Sequence, residues 1–153
     1  MAQGSEDLAA RASSQDGERL YFHASAVSVE GKGALILGPS GSGKSSLALA
    51  LMSLGARLIA DDGVWVEAAR LQRPEAAPTL IEARGIGLLH AGPLCQSAPL
   101  ALVVDLSRPE PARLPERRWG TIHGRKVELI LAAGRTTLAP ALCQLLRYGR
   151  ADV

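Results

Sequence analysis

One octapeptide constrains this chain more than any other stretch. Gly38-Pro39-Ser40-Gly41-Ser42-Gly43-Lys44-Ser45 matches the pattern G-x-x-x-x-G-K-[ST] without departure. It follows the apolar run Ala-Leu-Ile-Leu at 34–37 and opens the stretch Lys-Ser-Ser-Leu-Ala-Leu-Ala-Leu-Met-Ser-Leu at 44–54. The first reads as a short buried strand and the second as a helix with a broad apolar face. The glycine loop therefore sits where a strand hands over to a helix N-terminus. There the backbone N–H groups curl into an anion nest, and the helix end adds partial positive charge. Lys44 is placed for the outer phosphates of a nucleoside triphosphate and the Ser45 hydroxyl for Mg2+. The loop, with Ser46 directly after it, is the expected nucleotide-binding segment.

Composition narrows what surrounds that loop. At 153 residues the chain has the length of one domain and enough core to fold without disulfides or a structural metal. Aromatic residues make up 3%, so the core must be aliphatic and few rings are left to stack on nucleic-acid bases. The net charge of +2 is spread along the chain and forms no nucleic-acid stripe. Lysine occurs only at Lys32, Lys44 and Lys126, and one of these three holds the phosphate position. Asparagine is absent, which excludes an Asn-Lys-x-Asp guanine reader. Cys95 and Cys143 are isolated, and His23, His90 and His123 lack metal-site spacing. Residues 1–18 are polar and small-residue rich, without the apolar core of a signal peptide. No run approaches the ~20 apolar residues of a membrane span. The expectation is a cytoplasmic protein with a flexible tail over 1–18 and a single domain over 19–153.

The remaining elements follow from pattern. Residues 21–29 read as a strand, joined by the turn Glu30-Gly31-Lys32-Gly33 to the strand at 34–37. Strands are expected at 57–60, 64–67, 100–104 and 127–131, an exposed loop over 107–120, and a helix over 137–148 with Pro140 in its first turn. This is an α/β chain.

Nucleotide chemistry needs a second, acidic site, and two strand ends compete for it. Leu102-Val103-Val104-Asp105 has the form of an ordinary Walker B strand. Leu58-Ile59-Ala60-Asp61-Asp62 places two carboxylates side by side, facing opposite ways, so that one could serve Mg2+ and the other take a proton. The residues alone leave the choice open. A third element, Glu82-Ala83-Arg84-Gly85-Ile86-Gly87, puts a carboxylate and a guanidinium on one face of a strand beside glycines. His23 lies in the strand before the glycine loop.

Taken together, His23-Ala24-Ser25-Ala26-Val27, the octapeptide, Arg57-Leu58-Ile59-Ala60-Asp61-Asp62 and Leu80-Ile81-Glu82-Ala83-Arg84-Gly85-Ile86-Gly87 resemble the catalytic domain of HPr kinase/phosphorylase over about residues 20–106. The compact form without the family's N-terminal domain, found in alphaproteobacteria, is the nearest likeness. The resemblance implies a P-loop fold of the HPr kinase and phosphoenolpyruvate carboxykinase type. It implies an ATP- and Mg2+-dependent serine kinase acting on the phosphocarrier HPr or a nitrogen-type paralogue, regulating the phosphotransferase system. The reverse reaction would use inorganic phosphate and release pyrophosphate. By the same resemblance Asp61 is the acid/base, with His23, Lys44 and Arg84 completing the catalytic set. Ser45, Asp62 and Glu82 would hold the metal, and Asp105 reverts to an ordinary strand residue. The chain departs from the family at Ser46, where many members carry Glu, and in its poorly matching stretches 107–120 and beyond 131; a homo-oligomer is left open. Two other readings compete: a P-loop kinase of a small metabolite, with the Arg-rich 108–125 stretch as its lid, and a non-catalytic nucleotide-sensing regulator.

Overall fold

The computed structural model describes residues 4–151. In chain order the elements are β1 (Ser5–Asp7), a 3-10 turn (Leu8–Arg11), β2 (Ser14–Asp16), β3 (Arg19–Phe22), β4 (Ser25–Val29), β5 (Lys32–Leu37), α1 (Lys44–Ser53), β6 (Arg57–Ala60), β7 (Val64–Glu67), β8 (Arg70–Gln72), β9 (Leu80–Ala83), β10 (Gly87–His90), β11 (Ser97–Asp105), β12 (Arg118–Ile122), β13 (Arg125–Leu131) and α2 (Ala139–Tyr148).

β5 is the axis of the fold. It pairs with β4 on one side and runs parallel to β11 on the other. The central sheet continues from β11 through parallel β13 to antiparallel β12, and from β4 to antiparallel β6. The start of β11 peels away, pairs with β8 and opens a second, antiparallel layer through β7, β3 and β2.

The period of two along β5 splits its side chains between two cores. Ala34 and Ile36 join Ala48, Leu51 and Leu142 under the two helices. Leu35 and Leu37 join Phe22, Val64 and Leu71 between the sheet layers. A strand buried on both faces reads as an unbroken apolar run, which is how 34–37 looks in the sequence. α1 is apolar on most sides because it packs against β4, β9 and α2. α2 begins with Pro140 in its first turn, as expected, and Lys32 Nζ donates to the Leu146 carbonyl at its C-terminus (2.9 Å).

Three expectations need correction. Residues 5–16 are not a loose tail: β1 runs parallel to β12, β2 pairs with β3, and Leu8 is fully buried. The reason is a close approach, since a Cβ on Gly120 would lie 2.2 Å from Leu8 Cδ1. Residues 1–3 lie outside the described chain. The strand expected over 21–29 is two strands, broken at His23 and Ala24, because β3 belongs to the outer layer and β4 to the central sheet. The loop expected over 107–120 ends early, since Arg118–Ile122 pairs with β13 from Leu129 back to Arg125.

Candidate active site

The chain leaves β5 at Leu37, turns through Gly38–Gly43 and enters α1 at Lys44. Gly41 and Gly43 take φ of 83° and 101°, which brings the loop back over the helix end. Lys44 Nζ donates to the carbonyls of Gly38 (2.8 Å) and Pro39 (3.1 Å), so the lysine braces its own loop.

This loop forms one wall of a cavity of about 660 Å³. The floor comes from β6, whose end delivers Asp61 beneath the start of α1. Ser45 Oγ donates to Asp61 Oδ1 at 2.8 Å, and Ser25 Oγ, at the start of β4, donates to the same oxygen at 2.7 Å. One half-buried carboxylate oxygen therefore ties α1, β4 and β6 together. Asp62 follows in the left-handed region (φ 65°), exposed to the cavity. The two carboxylates thus differ: one is engaged by hydroxyls, the other presented to solvent.

His23 reaches the same cavity from the break between β3 and β4. Its ring meets Tyr21 edge-on (centroids 5.5 Å, 86°), and Tyr21 meets Trp65 (5.0 Å, 66°), over which the Arg19 guanidinium lies at 3.9 Å. The Tyr21 hydroxyl fills the place a Cβ on Gly63 would take (1.9 Å), which fits this aromatic ladder against the Asp61-Asp62 turn.

The opposite wall is the β9–β10 hairpin, from which Glu82 and Arg84 face the cavity. The pairing of these two residues on one side was legible from their spacing. Arg84 itself sits in the turn between the strands rather than in a strand. Arg73, which the sequence gave no reason to single out, anchors this wall. It donates to the carbonyls of Ile59 (2.8 Å), Ala77 (2.6 Å) and Pro78 (2.8 Å), clamping the approach to β9 onto the strand that carries Asp61. Its partners are backbone carbonyls, which no side-chain pattern in the sequence reveals.

The cavity thus gathers His23, the loop, Lys44, Ser45, Ser46, Asp61, Asp62, Glu82 and Arg84. Ser42 is the exception among the expected residues. Its N–H is spent on the Pro39 carbonyl (3.1 Å), and its buried hydroxyl turns beneath Gly38, away from the cavity.

Asp105 also lies outside the cavity. It is fully buried and accepts from Arg11 (3.1 and 3.3 Å), from the Ser107 N–H (2.9 Å) and hydroxyl (2.6 Å), and from Arg108 (3.0 Å). Burial alone would raise its pKa, but these hydrogen bonds outweigh it and hold the carboxyl well below the usual range. Arg108 continues to Glu6 (2.6 Å), so this network fastens the N-terminal segment to the end of β11.

Among the described residues no group of three or more His, Cys, Asp or Glu comes together as a metal cage. The oxygens of Ser45, Asp61, Asp62 and Glu82 around one cavity suit Mg2+ better than a cage would, because Mg2+ keeps several waters and takes one or two carboxylates. No helix of the described residues is long and apolar enough to cross a membrane.

Known proteins share this fold. The solved structure of the Hpr(Ser) kinase/phosphatase from Coxiella burnetii superposes with a TM-score of 0.69 at 27% identity, covering 83% of this chain and 93% of that one. This is the α/β mixed-sheet fold found here. The HPr kinase/phosphorylase of Caldicellulosiruptor bescii is 34% identical over 123 residues, 73% of this chain and 39% of that protein. The one from Brevibacillus brevis is 35% identical over 107 residues, 63% of this chain and 34% of that protein. The chain therefore spans well under half the length of these curated relatives. The profile of the HPr serine kinase C-terminal domain matches residues 15–117, which hold every wall of the cavity, and the chain belongs to that family.

Proposed function

We propose that this chain is the catalytic core of an ATP- and Mg2+-dependent protein-serine kinase whose acceptor is an HPr-type phosphocarrier protein. The reverse phosphorolysis runs at the same site, in the cytoplasm, as part of phosphotransferase regulation. The observation that carries this reading is the meeting of Ser45 and Asp61 at 2.8 Å, with Asp62 exposed beside them, in one cavity with the glycine loop.

The loop N–H groups and Lys44 hold the triphosphate, which requires Lys44 to leave the Gly38 and Pro39 carbonyls. Ser45, Asp61 and Glu82 offer hard oxygens to Mg2+, whose part when bound is to neutralise phosphate charge. This exchanges the roles that the family resemblance implies for the two aspartates. The hydrogen bonds of Asp61 support the exchange: its Oδ1 is already engaged by two hydroxyls, one of them that of Ser45, while Asp62 stands open to the cavity. Asp62, open to an incoming side chain, accepts the proton of the acceptor serine. The serine oxygen then bonds to phosphorus, and the bond from phosphorus to the departing diphosphate breaks. Arg84 stabilises charge on the transferring oxygens, and His23 lies beside the aspartates to steady the acceptor. In reverse, an oxygen of inorganic phosphate bonds to the phosphoserine phosphorus, the bond from phosphorus to the serine oxygen breaks, Asp62 returns the proton to that oxygen, and pyrophosphate leaves.

Incubation with labelled ATP, Mg2+ and purified HPr-type carriers tests this. Phosphoserine on a carrier is expected. Turnover with small acceptors alone would make the chain a metabolite kinase, and ATP binding without transfer would make it a nucleotide sensor.

A further inference from the structure

β6 does not alternate evenly. Its ladder with β4 steps from Val27↔Leu58 to Ala26↔Ala60, so Ile59 is an extra residue, a β-bulge. The side chains record the shift. Leu58 lies in the core under the helices, but Ile59 and Ala60 both lie in the core between the sheet layers. The next residue, Asp61, then falls on the helix side, where Ser25 and Ser45 donate to it. With plain alternation from Leu58, Asp61 would face the layer between the sheets and Asp62 would face α1. The bulge therefore decides which aspartate meets the Ser45 hydroxyl.

A bulged residue leaves the ladder, and its backbone groups need another partner. The Ile59 carbonyl finds one in Arg73 Nη1 (2.8 Å). The same guanidinium donates through Nη2 to the carbonyls of Ala77 (2.6 Å) and Pro78 (2.8 Å). The stretch 74–78 is poorly equipped to pair as a strand. Pro74 and Pro78 have no N–H, and the Ala77 N–H is spent on the Pro74 carbonyl (3.1 Å). Pro78 lines the cavity, and the chain reaches Glu82 four residues later. The Arg73 N–H donates to the Gln96 carbonyl (2.9 Å) and the Cys95 N–H to the Leu58 carbonyl (2.9 Å). Both stems of the β9–β10 hairpin are thus gathered against the bulge.

We propose that Arg73 is a positioning residue for the metal site: by holding the Ile59 bulge it turns Asp61 toward Ser45, and by holding the Pro78 carbonyl it sets the wall that carries Glu82 against them. This rests on the kinase reading above, although the metal part can be read from binding alone. Arg73 does not line the cavity and acts only through the backbone it holds. A planar fork suits the task, because its N–H directions are fixed and hold carbonyls of two segments at set angles, which an ammonium on a flexible stem does not do.

The test measures ATP binding by calorimetry with and without Mg2+, in the absence of carrier, and phosphorylation of an HPr-type carrier against Mg2+ concentration. In Arg73→Met the Mg2+ concentration for half-maximal transfer is expected to rise about tenfold, as loss of a group that orients metal ligands does. ATP affinity without Mg2+ should equal that of the parent, and the gain in affinity on adding Mg2+ should shrink. Amide exchange at residues 58–62 of the metal-free chain should quicken. Arg73→Lys should move each measurement the same way by less, and it serves where Arg73→Met does not fold. Arg11→Met, which breaks a clamp outside the cavity, should lower stability and leave the Mg2+ response as in the parent. An unchanged Mg2+ response in folded Arg73→Met, or an equal change in Arg11→Met, overturns the positioning role and leaves the kinase reading standing. Weakened ATP binding without Mg2+ also overturns it, by making Arg73 a general support of the site. A parent chain that binds Mg2+ and ATP together yet phosphorylates no carrier overturns the kinase reading alone, and the binding measurements still decide on Arg73.

Discussion

Two acidic strand ends lie close to the glycine loop, and their neighbours set them to different work. Asp105 ends β11, is engaged by two guanidiniums and a serine, and does not line the cavity. Asp61 and Asp62 end β6 among hydroxyls, with one carboxylate exposed. Arginines neutralise a buried carboxylate and fix it as a fastening. Hydroxyls position one without neutralising it, which leaves charge for a metal or a proton. The difference lies in the partners, guanidiniums for one and hydroxyls for the other, not in the strand ends, which look alike.

The sharpest way to break this contrast is at Asp62. Asp62→Asn is expected to lower phosphoryl transfer by about a thousandfold while ATP affinity persists, as loss of a general base does. Asp61→Asn is expected to raise the Mg2+ concentration needed for half-maximal rate. If Asp61→Asn removes transfer without altering the Mg2+ dependence, the roles assigned here are reversed.

Next in size is Asp105→Asn, which leaves Arg11 and Arg108 facing a neutral group. A loss of about 3 kcal/mol in unfolding free energy is expected, measured by denaturant titration, with transfer per folded molecule unchanged. Loss of transfer at full stability would return Asp105 to the catalytic set. The same residue sets an acid limb. Its folded pKa lies below that of an unfolded aspartate, about 4, so its contribution is complete above that pH. It fades as pH falls below that value toward the folded pKa. Thermal melts from pH 6 to pH 2 should fall steeply in the parent chain and more shallowly in Asp105→Asn.

The smallest effect sharpens the hydroxyl side. Ser25→Ala removes one of the two donors to Asp61 and should cost about 1 kcal/mol of stability, with a several-fold shift in Mg2+ dependence. No shift in Mg2+ dependence would mean that Ser45 alone positions Asp61.

The parts of the site carried by local spacing were legible in the sequence. The octapeptide, the Asp61-Asp62 pair and the Glu82-x-Arg84 element each lie within a few residues, and the cavity gathers all of them. The illegible parts depend on contacts that local spacing does not encode. Arg73 resembles any surface arginine until its three carbonyls are known. The polar run at 5–16 gives no periodicity, yet it is ordered by a glycine at position 120 and a carboxylate at 105. The break at His23 follows from β3 and β4 joining different layers, which no local pattern encodes.

That N-terminal fastening has a kinetic consequence. The Thr121 hydroxyl and the Glu6 carbonyl that meet beside β1 and β12 are 115 positions apart, and Arg11 and Asp105 are 94 apart. Contacts of such separation close large loops and are slow to form. Residues 5–11 therefore wait for β11 and β12 before they find these partners. An interaction made after the folding barrier mainly governs how slowly the molecule comes apart, so β1 and Arg11 would act as a latch on unfolding and have little part in starting the fold.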